Sequence, residues 1–199
     1  MRFHNGVPET QGFTPQDDAR WSPLDEPSQQ RFLVWAMLWS LPWSALLVGA
    51  WLWPLFAQDA SHARVTVPPW TTLLSLPVMM VVHELLHMLA HPGAGTRRES
   101  VLGAIPAQGM LFAAYLGEMS RGRLIFILLT PLSVITGLPW MLCMALGQFS
   151  GYWAALSLLN GLISIGDVMG VWLLLRGTPA GAVVRNQGWQ TWWRRLDAR

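Results

Sequence analysis

The sequence predicts an all-α polytopic membrane protein with about four transmembrane helices and a short β-hairpin-like or re-entrant segment between helices 2 and 3. The first observation is the composition, because only 12% of the residues are charged and 52% are hydrophobic, whereas soluble domains carry about 25% charged residues. The second is the spacing of the charges. No charged residue occurs in the 27 positions between Arg31 and Asp59, or in the 43 positions from Leu124 to Gly166.

These uncharged stretches are long enough for four spans, since a bilayer-crossing helix needs roughly 20 apolar residues. The longest stretch is interrupted by the segment GQFSG at positions 147–151, which is typical of a tight turn. We expect the spans near Phe32–Phe56, Trp70–His91, Leu124–Leu146 and Trp153–Leu175.

The distribution of arginine predicts the orientation. All thirteen basic residues are arginine, and with four spans twelve of them lie on one side of the membrane and only Arg64 on the other. Because cytoplasmic loops are enriched in basic residues, we expect both termini in the cytoplasm. The arginine-only basic set favours a GC-rich bacterium, so the expected location is integral to the bacterial cytoplasmic (inner) membrane.

The two ends of the chain differ from the apolar middle. Residues 1–30 are polar and rich in Pro, Gln and Asp, and we expect a flexible cytoplasmic tail. Residues 31–176 are expected to form a single membrane-embedded domain. Within residues 177–199, the stretch NQGWQTWWRRLDAR at positions 186–199 contains three tryptophans and three arginines, a composition typical of an interfacial tail on the cytoplasmic leaflet. We therefore expect the lipid bilayer as a partner, and no nucleic acid.

The uncharged segment Ser100–Gly117 lies between the second and third spans. Gly103, Pro106 and Gly109 disfavour a spanning helix there. The segment predicts two short strands around residues 107–109 or, as readily, an ordinary interfacial loop. An exposed strand edge at this place could pair with an extended substrate.

The candidate metal-binding and catalytic residues of the motif lie in the second span. His83-Glu84-Leu85-Leu86-His87 is an H-E-x-x-H motif, and positions i and i+4 of a helix share a face, so both imidazoles can bind one metal ion. Glu84 is placed beside the first of them, where it can take a proton from a water molecule. Two histidines with an adjacent carboxylate predict a catalytic Zn²⁺ site. Ionisable groups within a span usually mark function.

A third ligand must come from elsewhere, and two residues are candidates. Asp167 lies on the fourth span in a polar stripe with Ser157, Asn160 and Ser164, at about the same depth as His83 if both spans are regular helices. Asn160 and Ser164 would then be polar support or substrate contacts. His91 is the alternative ligand. Because i, i+4 and i+8 on one helix are nearly in line, we favour Asp167 and expect His91 at the membrane interface, near the end of its helix.

The chain also resembles a known family. A span with H-E-x-x-H, the run YLGEMSRGRLIFILLTP at positions 115–131 and the N-x(6)-D stretch from Asn160 to Asp167 are similar to the small bacterial family of putative zincin peptidases. That family is related to intramembrane zinc metalloproteases of the site-2 protease type. The resemblance covers roughly Pro69 to Asp167. It implies His83, His87 and Asp167 as metal ligands and Glu84 as the catalytic base.

The expected function is an integral membrane zinc metalloprotease, a metalloendopeptidase that hydrolyses peptide bonds of membrane or membrane-proximal proteins. Glu84 is the expected general base toward a zinc-activated water. Two alternatives stay open, namely a non-catalytic membrane zinc-binding scaffold and an ion-translocating protein that uses these ionisable side chains. The carboxylate beside the first histidine favours the protease, because metal binding alone does not require it.

Overall fold

The structure is a computed structural model, and it describes residues 2–6, 10, 12–57, 66–106 and 109–196. Its helices are α1 (Gln29–Ala57), α2 (Pro69–Ala90), α3 (Arg121–Pro131), α4 (Leu138–Leu146), α5 (Gly151–Ile163) and α6 (Ile165–Gly177), with a π-helical segment (Leu132–Gly137) between α3 and α4. Its strands are β1 (Arg2–Asn5), β2 (Ser22–Pro23), β3 (Ser100–Ile105), β4 (Met110–Tyr115), β5 (Met119–Ser120), β6 (Val183–Gln187) and β7 (Gln190–Arg194).

The apolar stretches of the sequence form helices of membrane-crossing length. In the described part of the chain, Gln29–Trp53, Pro69–Ala90 and Arg121–Leu146 are long and apolar enough to cross a membrane. The predicted fourth span is divided, because α5 and α6 meet at Ser164 with a bend of 47°. Counted as one bent span, the pair raises the number of candidate spans from three to four.

The predicted all-α fold class is wrong. Among the residues that the structure describes, seven strands form a three-stranded sheet of order β1-β3-β4 and a four-stranded sheet of order β2-β7-β6-β5. The physical reason is that the pairing is non-local: β1 pairs in parallel with β3 about a hundred residues later, and β2 pairs with β7 at the other end of the chain. Strands of two to six residues with distant partners leave little local periodicity in the sequence.

The hairpin predicted between the second and third spans is confirmed. β3 and β4 pair antiparallel from Ser100↔Tyr115 to Ile105↔Met110. Gly103 lies where β1 and β4 both come close, since a Cβ at this position would overlap the Phe112 ring and the His4 carbonyl. The predicted turn at residues 107 and 108 lies outside the described residues.

The segments expected to be terminal tails contribute strands to both sheets. β1 and β2 come from residues 1–30, and β6 and β7 come from residues 177–199. Arginine and aromatic side chains pack together on the second of these sheets: Arg185 lies 4.2 Å from the centroid of the Phe13 ring, and Arg194 lies 5.4 Å from that of the Trp21 ring. Both aromatic rings are buried.

The chain divides into two compact units. The sheet unit comprises Met1–Pro27, Glu84–Thr130 and Val168–Arg199, and the helical unit comprises Ser28–His83 and Pro131–Asp167. In the helical unit, Trp51, Cys143 and Ala154 form a buried cluster. Helices α1 and α5 approach closely at Gly161, where a Cβ would overlap Leu47, and the Trp43 indole donates to the Gly161 carbonyl at 2.8 Å.

Candidate metal centre

The H-E-x-x-H motif lies on α2, as predicted. His83 and His87 are buried, and Glu84 between them is half-buried. The motif occupies the last two turns of an apolar helix that ends at Ala90. The one-turn spacing sets both imidazoles on the same face of α2, and the Glu84 side chain projects about 100° around the helix from that of His83.

The imidazole of His83 is oriented by Asn160, a fully buried residue of α5. Asn160 donates through Nδ2 to the Pro131 carbonyl at 3.3 Å and to Thr136 Oγ1 at 3.0 Å. A carbonyl only accepts, so this bond sets which end of the amide is the oxygen. Asn160 Oδ1 therefore faces His83 Nδ1, at 2.9 Å. In the neutral ring this acceptor places the proton on Nδ1, which leaves the Nε2 lone pair for a metal ion.

The imidazole of His87 is held by a backbone carbonyl. Its Nδ1 lies 2.9 Å from the Ile127 oxygen, and because that oxygen only accepts, Nδ1 carries the proton and Nε2 the lone pair. This carbonyl is available for a local reason. In α3 its normal partner would be the N–H of residue 131, which is a proline and has none.

Asp167 lies in the first turn of α6, directly after the bend. Its Oδ2 is 3.4 Å from His83 Nε2. Two ligand atoms that are each 2.0–2.1 Å from a tetrahedral zinc ion are about 3.3 Å apart. The observed spacing therefore matches a pair of zinc ligands.

The three predicted ligands come together. His83, His87 and Asp167 each offer one ligand atom, and these atoms lie within 4.8 Å of one another. No further group of this kind occurs among the residues that the structure describes. Two imidazoles and one carboxylate are a donor set found in catalytic zinc sites, which keep the fourth position open. The site fits Zn²⁺.

A buried polar network supports this centre. Thr136 donates to the Ser157 carbonyl at 3.0 Å, and the Ser157 hydroxyl donates to the Ile135 carbonyl at 3.2 Å. The π-helical segment shifts the backbone pairing from i→i+4 to i→i+5, which leaves carbonyl groups open to side-chain donors. We did not predict the contributions of Thr136, Ile127 and Pro131. Pro131 was a usable signal, because a proline within a span removes the partner of an earlier carbonyl.

Ser164 and His91 are not part of this group of candidate ligand atoms. Ser164 is fully buried at the end of α5, and its backbone N–H donates to the Asn160 carbonyl at 2.8 Å. His91 follows the last residue of α2, as expected for a histidine near the helix end, yet it is only 1% exposed. Its ring packs against that of Tyr115, and its Nδ1 lies 3.3 Å from Ser100 Oγ. Burial lowers the pKa of His91 from 6.5 to about 4, and the positive charge of Arg123 acts in the same direction.

Comparison with known proteins identifies the family. Residues 76–183 match the family model described as "Putative zincin peptidase". No curated protein and no solved structure matches the chain. The matched region is more than half of the 199 residues and contains the candidate ligands and Glu84. The chain belongs to this zincin peptidase family.

Proposed function

We propose that this zincin peptidase is an integral membrane metalloendopeptidase that hydrolyses peptide bonds of membrane or membrane-proximal proteins. The observation that carries the proposal is the group of three ligand atoms within 4.8 Å of one another, next to a glutamate in an H-E-x-x-H helix. A metal-binding scaffold has no use for that carboxylate, whereas a zinc peptidase needs a base beside the metal.

The chemistry divides between the metal and the side chains of the chain. Bound zinc supplies Lewis acidity, which polarises the peptide carbonyl and makes water more acidic. His83 and His87 would bind it through Nε2 and Asp167 through a carboxylate oxygen. The Glu84 carboxylate accepts a proton from water as the water oxygen attacks the carbonyl carbon, and it then delivers that proton to the amine nitrogen as the C–N bond breaks. The Asn160 amide and the Ile127 carbonyl keep both imidazoles in the required tautomer.

The proposed location is the bacterial cytoplasmic membrane, with both termini in the cytoplasm. Support comes from the helices of membrane-crossing length and from the arginine distribution of the sequence. Arg64, the single arginine assigned to the opposite side, lies outside the described residues. His83 is seven residues from the end of α2, which corresponds to roughly 10 Å along a helix. Cleavage is therefore proposed in or near the cytoplasmic leaflet.

The proposed substrate-binding element is β4. In the order β1-β3-β4 it is an edge strand among the described residues. An extended peptide can pair with such an edge through its backbone. A peptidase must unwind a helical substrate before cleavage, because a helix occupies its own amide groups. A membrane protein or peptide that becomes extended near the site is the class of substrate that we propose.

The test is cleavage of a membrane-anchored model substrate by the purified full-length protein loaded with zinc. Glu84→Gln should keep the zinc and lower the cleavage rate by at least about 100-fold, the contribution typical of a general base. Glu99→Gln, an equivalent change at an exposed position, should leave both unchanged. Proteolysis that persists in Glu84→Gln would remove Glu84 as the base. A zinc-loaded wild type without any zinc-dependent cleavage would favour the non-catalytic scaffold.

A further inference from the structure

A second concave site lies on the four-stranded sheet. It is a cavity of about 270 Å³ lined by Arg20, Ser22, Trp193, Arg194 and Arg195, and we call it the arginine groove. Strands β2 and β7 bring these residues together, since Ser22 pairs directly with Trp193. Three of the five lining residues are arginines, and no acidic residue lines the cavity. The groove therefore has the hydrogen-bond donors for an anion.

Two of the guanidinium groups are held in position by partners at its margin. Arg20 forms an ion pair with Asp18 at 2.8 Å, and the hydrogen bonds from Arg20 lower the pKa of Asp18 from 3.8 to about 2. Arg194 pairs with Glu118 at 2.9 Å and lies over the Trp21 ring. Arg195 adds a third positive charge beside them. Planar guanidinium groups in fixed orientations suit the oxygens of a phosphate.

Chain connectivity relates this sheet to the membrane. β5 ends at Ser120, and α3 begins at the next residue, Arg121. Arg121–Leu146 is one of the stretches long enough to cross a bilayer. At the opposite edge, β2 lines the groove and ends at Pro23, and the candidate span Gln29–Trp53 begins six residues later. Both edges of the sheet are therefore connected to the end of a candidate span, at the depth where phospholipid headgroups lie. An exposed tryptophan, Trp189, in the turn between β6 and β7 is typical of that depth.

We propose that the arginine groove binds the phosphate of an anionic phospholipid. A zwitterionic lipid presents a compensating ammonium group, whereas an anionic lipid presents only negative charge to the three arginines, two of which are also paired with Asp18 and Glu118. The proposal rests on the membrane location proposed above and does not depend on peptidase activity. Binding there would tie the sheet built from both chain termini to the headgroup layer.

The experiment is native mass spectrometry of the delipidated full-length protein, titrated in detergent with phosphatidylglycerol or phosphatidylcholine. The wild type should retain phosphatidylglycerol in preference to phosphatidylcholine. The double variant Arg20→Ala/Arg195→Ala should bind phosphatidylglycerol about 25-fold more weakly, since each arginine near a lipid surface contributes about fivefold. Arg97→Ala/Arg98→Ala removes the same charge at exposed positions outside the groove, and it should bind as the wild type does.

Several outcomes would overturn the proposal. Equal losses in the two double variants would mean general charge attraction, and no loss in Arg20→Ala/Arg195→Ala would exclude the groove. Displacement of bound phosphatidylglycerol by excess inorganic phosphate would identify a site for free phosphate-bearing anions instead. If the double variant aggregates on gel filtration, the single variant Arg195→Gln replaces it, and its affinity for phosphatidylglycerol should be about fivefold lower than that of the wild type.

Discussion

Three histidines follow one another at four-residue intervals, yet they belong to two different environments. His83 and His87 lie within α2 and direct Nδ1 at oxygens that only accept, those of the Asn160 amide and the Ile127 backbone. His91 lies beyond the helix end, and its Nδ1 faces the hydroxyl of Ser100, which can donate or accept. The first two rings are thus fixed in a metal-binding tautomer, and the third is not. The partner of Nδ1, more than sequence spacing, separates a ligand from a packing residue.

The largest effect on zinc content is expected from removing the imidazole of His83 or that of His87. His83→Ala and His87→Ala should each lower bound zinc from about one per chain to nearly none, because two protein ligands do not retain the ion against a chelator. Elemental analysis of the purified protein after dialysis measures the content. Zinc unchanged in both variants would rule out this centre.

The next largest effect is expected at Asp167. Asp167→Ala should weaken zinc binding by about 10-fold or more, because the carboxylate 3.4 Å from His83 Nε2 is lost. Competition with a chromogenic chelator gives the affinity. Asp17→Ala, at an exposed carboxylate in the described N-terminal segment, is the matched control. A zinc affinity equal to that of the wild type would mean that another residue is the third ligand, and His91 would be the first candidate to test.

A smaller effect should follow from Asn160→Ala, which leaves the metal ligands intact. The variant removes the acceptor that holds the proton on His83 Nδ1, so zinc affinity should fall by about 10-fold, the lower end for residues that orient a ligand. Ser157→Ala is the control, because Ser157 belongs to the same buried network but bonds the Ile135 carbonyl. Equal losses in both variants would indicate a general packing defect.

The smallest effect on the metal is expected at His91. His91→Gln should keep one zinc per chain, and its effect should be on stability. Because burial lowers the pKa of His91 to about 4, the unfolded chain takes up its proton at higher pH than the folded chain. Wild-type stability should therefore decline as the pH falls from about 6.5 to 4. Melting temperatures measured by tryptophan fluorescence should decline less with falling pH in His91→Gln than in the wild type. Loss of zinc in this variant would contradict the conclusion that His91 does not bind the metal.

The helices and the placement of the two histidines on one helix face could be predicted from the sequence because both are local signals. Uncharged stretches predicted α1, α2 and the Arg121–Leu146 stretch within a few residues of their observed limits, and the motif predicted two ligands on one face. Asp167 was reached through its charge within a span, although the bend at Ser164 means that Asn160 and Asp167 do not share one straight helix.

The sheets could not be predicted because their pairings join distant segments. Arg2–Asn5 and Ser22–Pro23 are short, and their sequences alone are typical of a polar tail. They form strands because they pair with β3 and β7, which are distant in the sequence. The orienting acceptors were hidden for a related reason. The Ile127 carbonyl is available only because residue 131 is a proline. The side chain at position 127 itself gives no indication that this carbonyl is free.

The most direct measurement of the central claim is zinc K-edge X-ray absorption on the purified, zinc-loaded protein. The expected spectrum contains two imidazoles and a carboxylate oxygen at about 2.0–2.1 Å, without sulfur. His91→Gln should leave it unchanged, and Asp167→Ala should remove the carboxylate. A spectrum with three imidazoles, or with sulfur from Cys143, would contradict the centre formed by His83, His87 and Asp167.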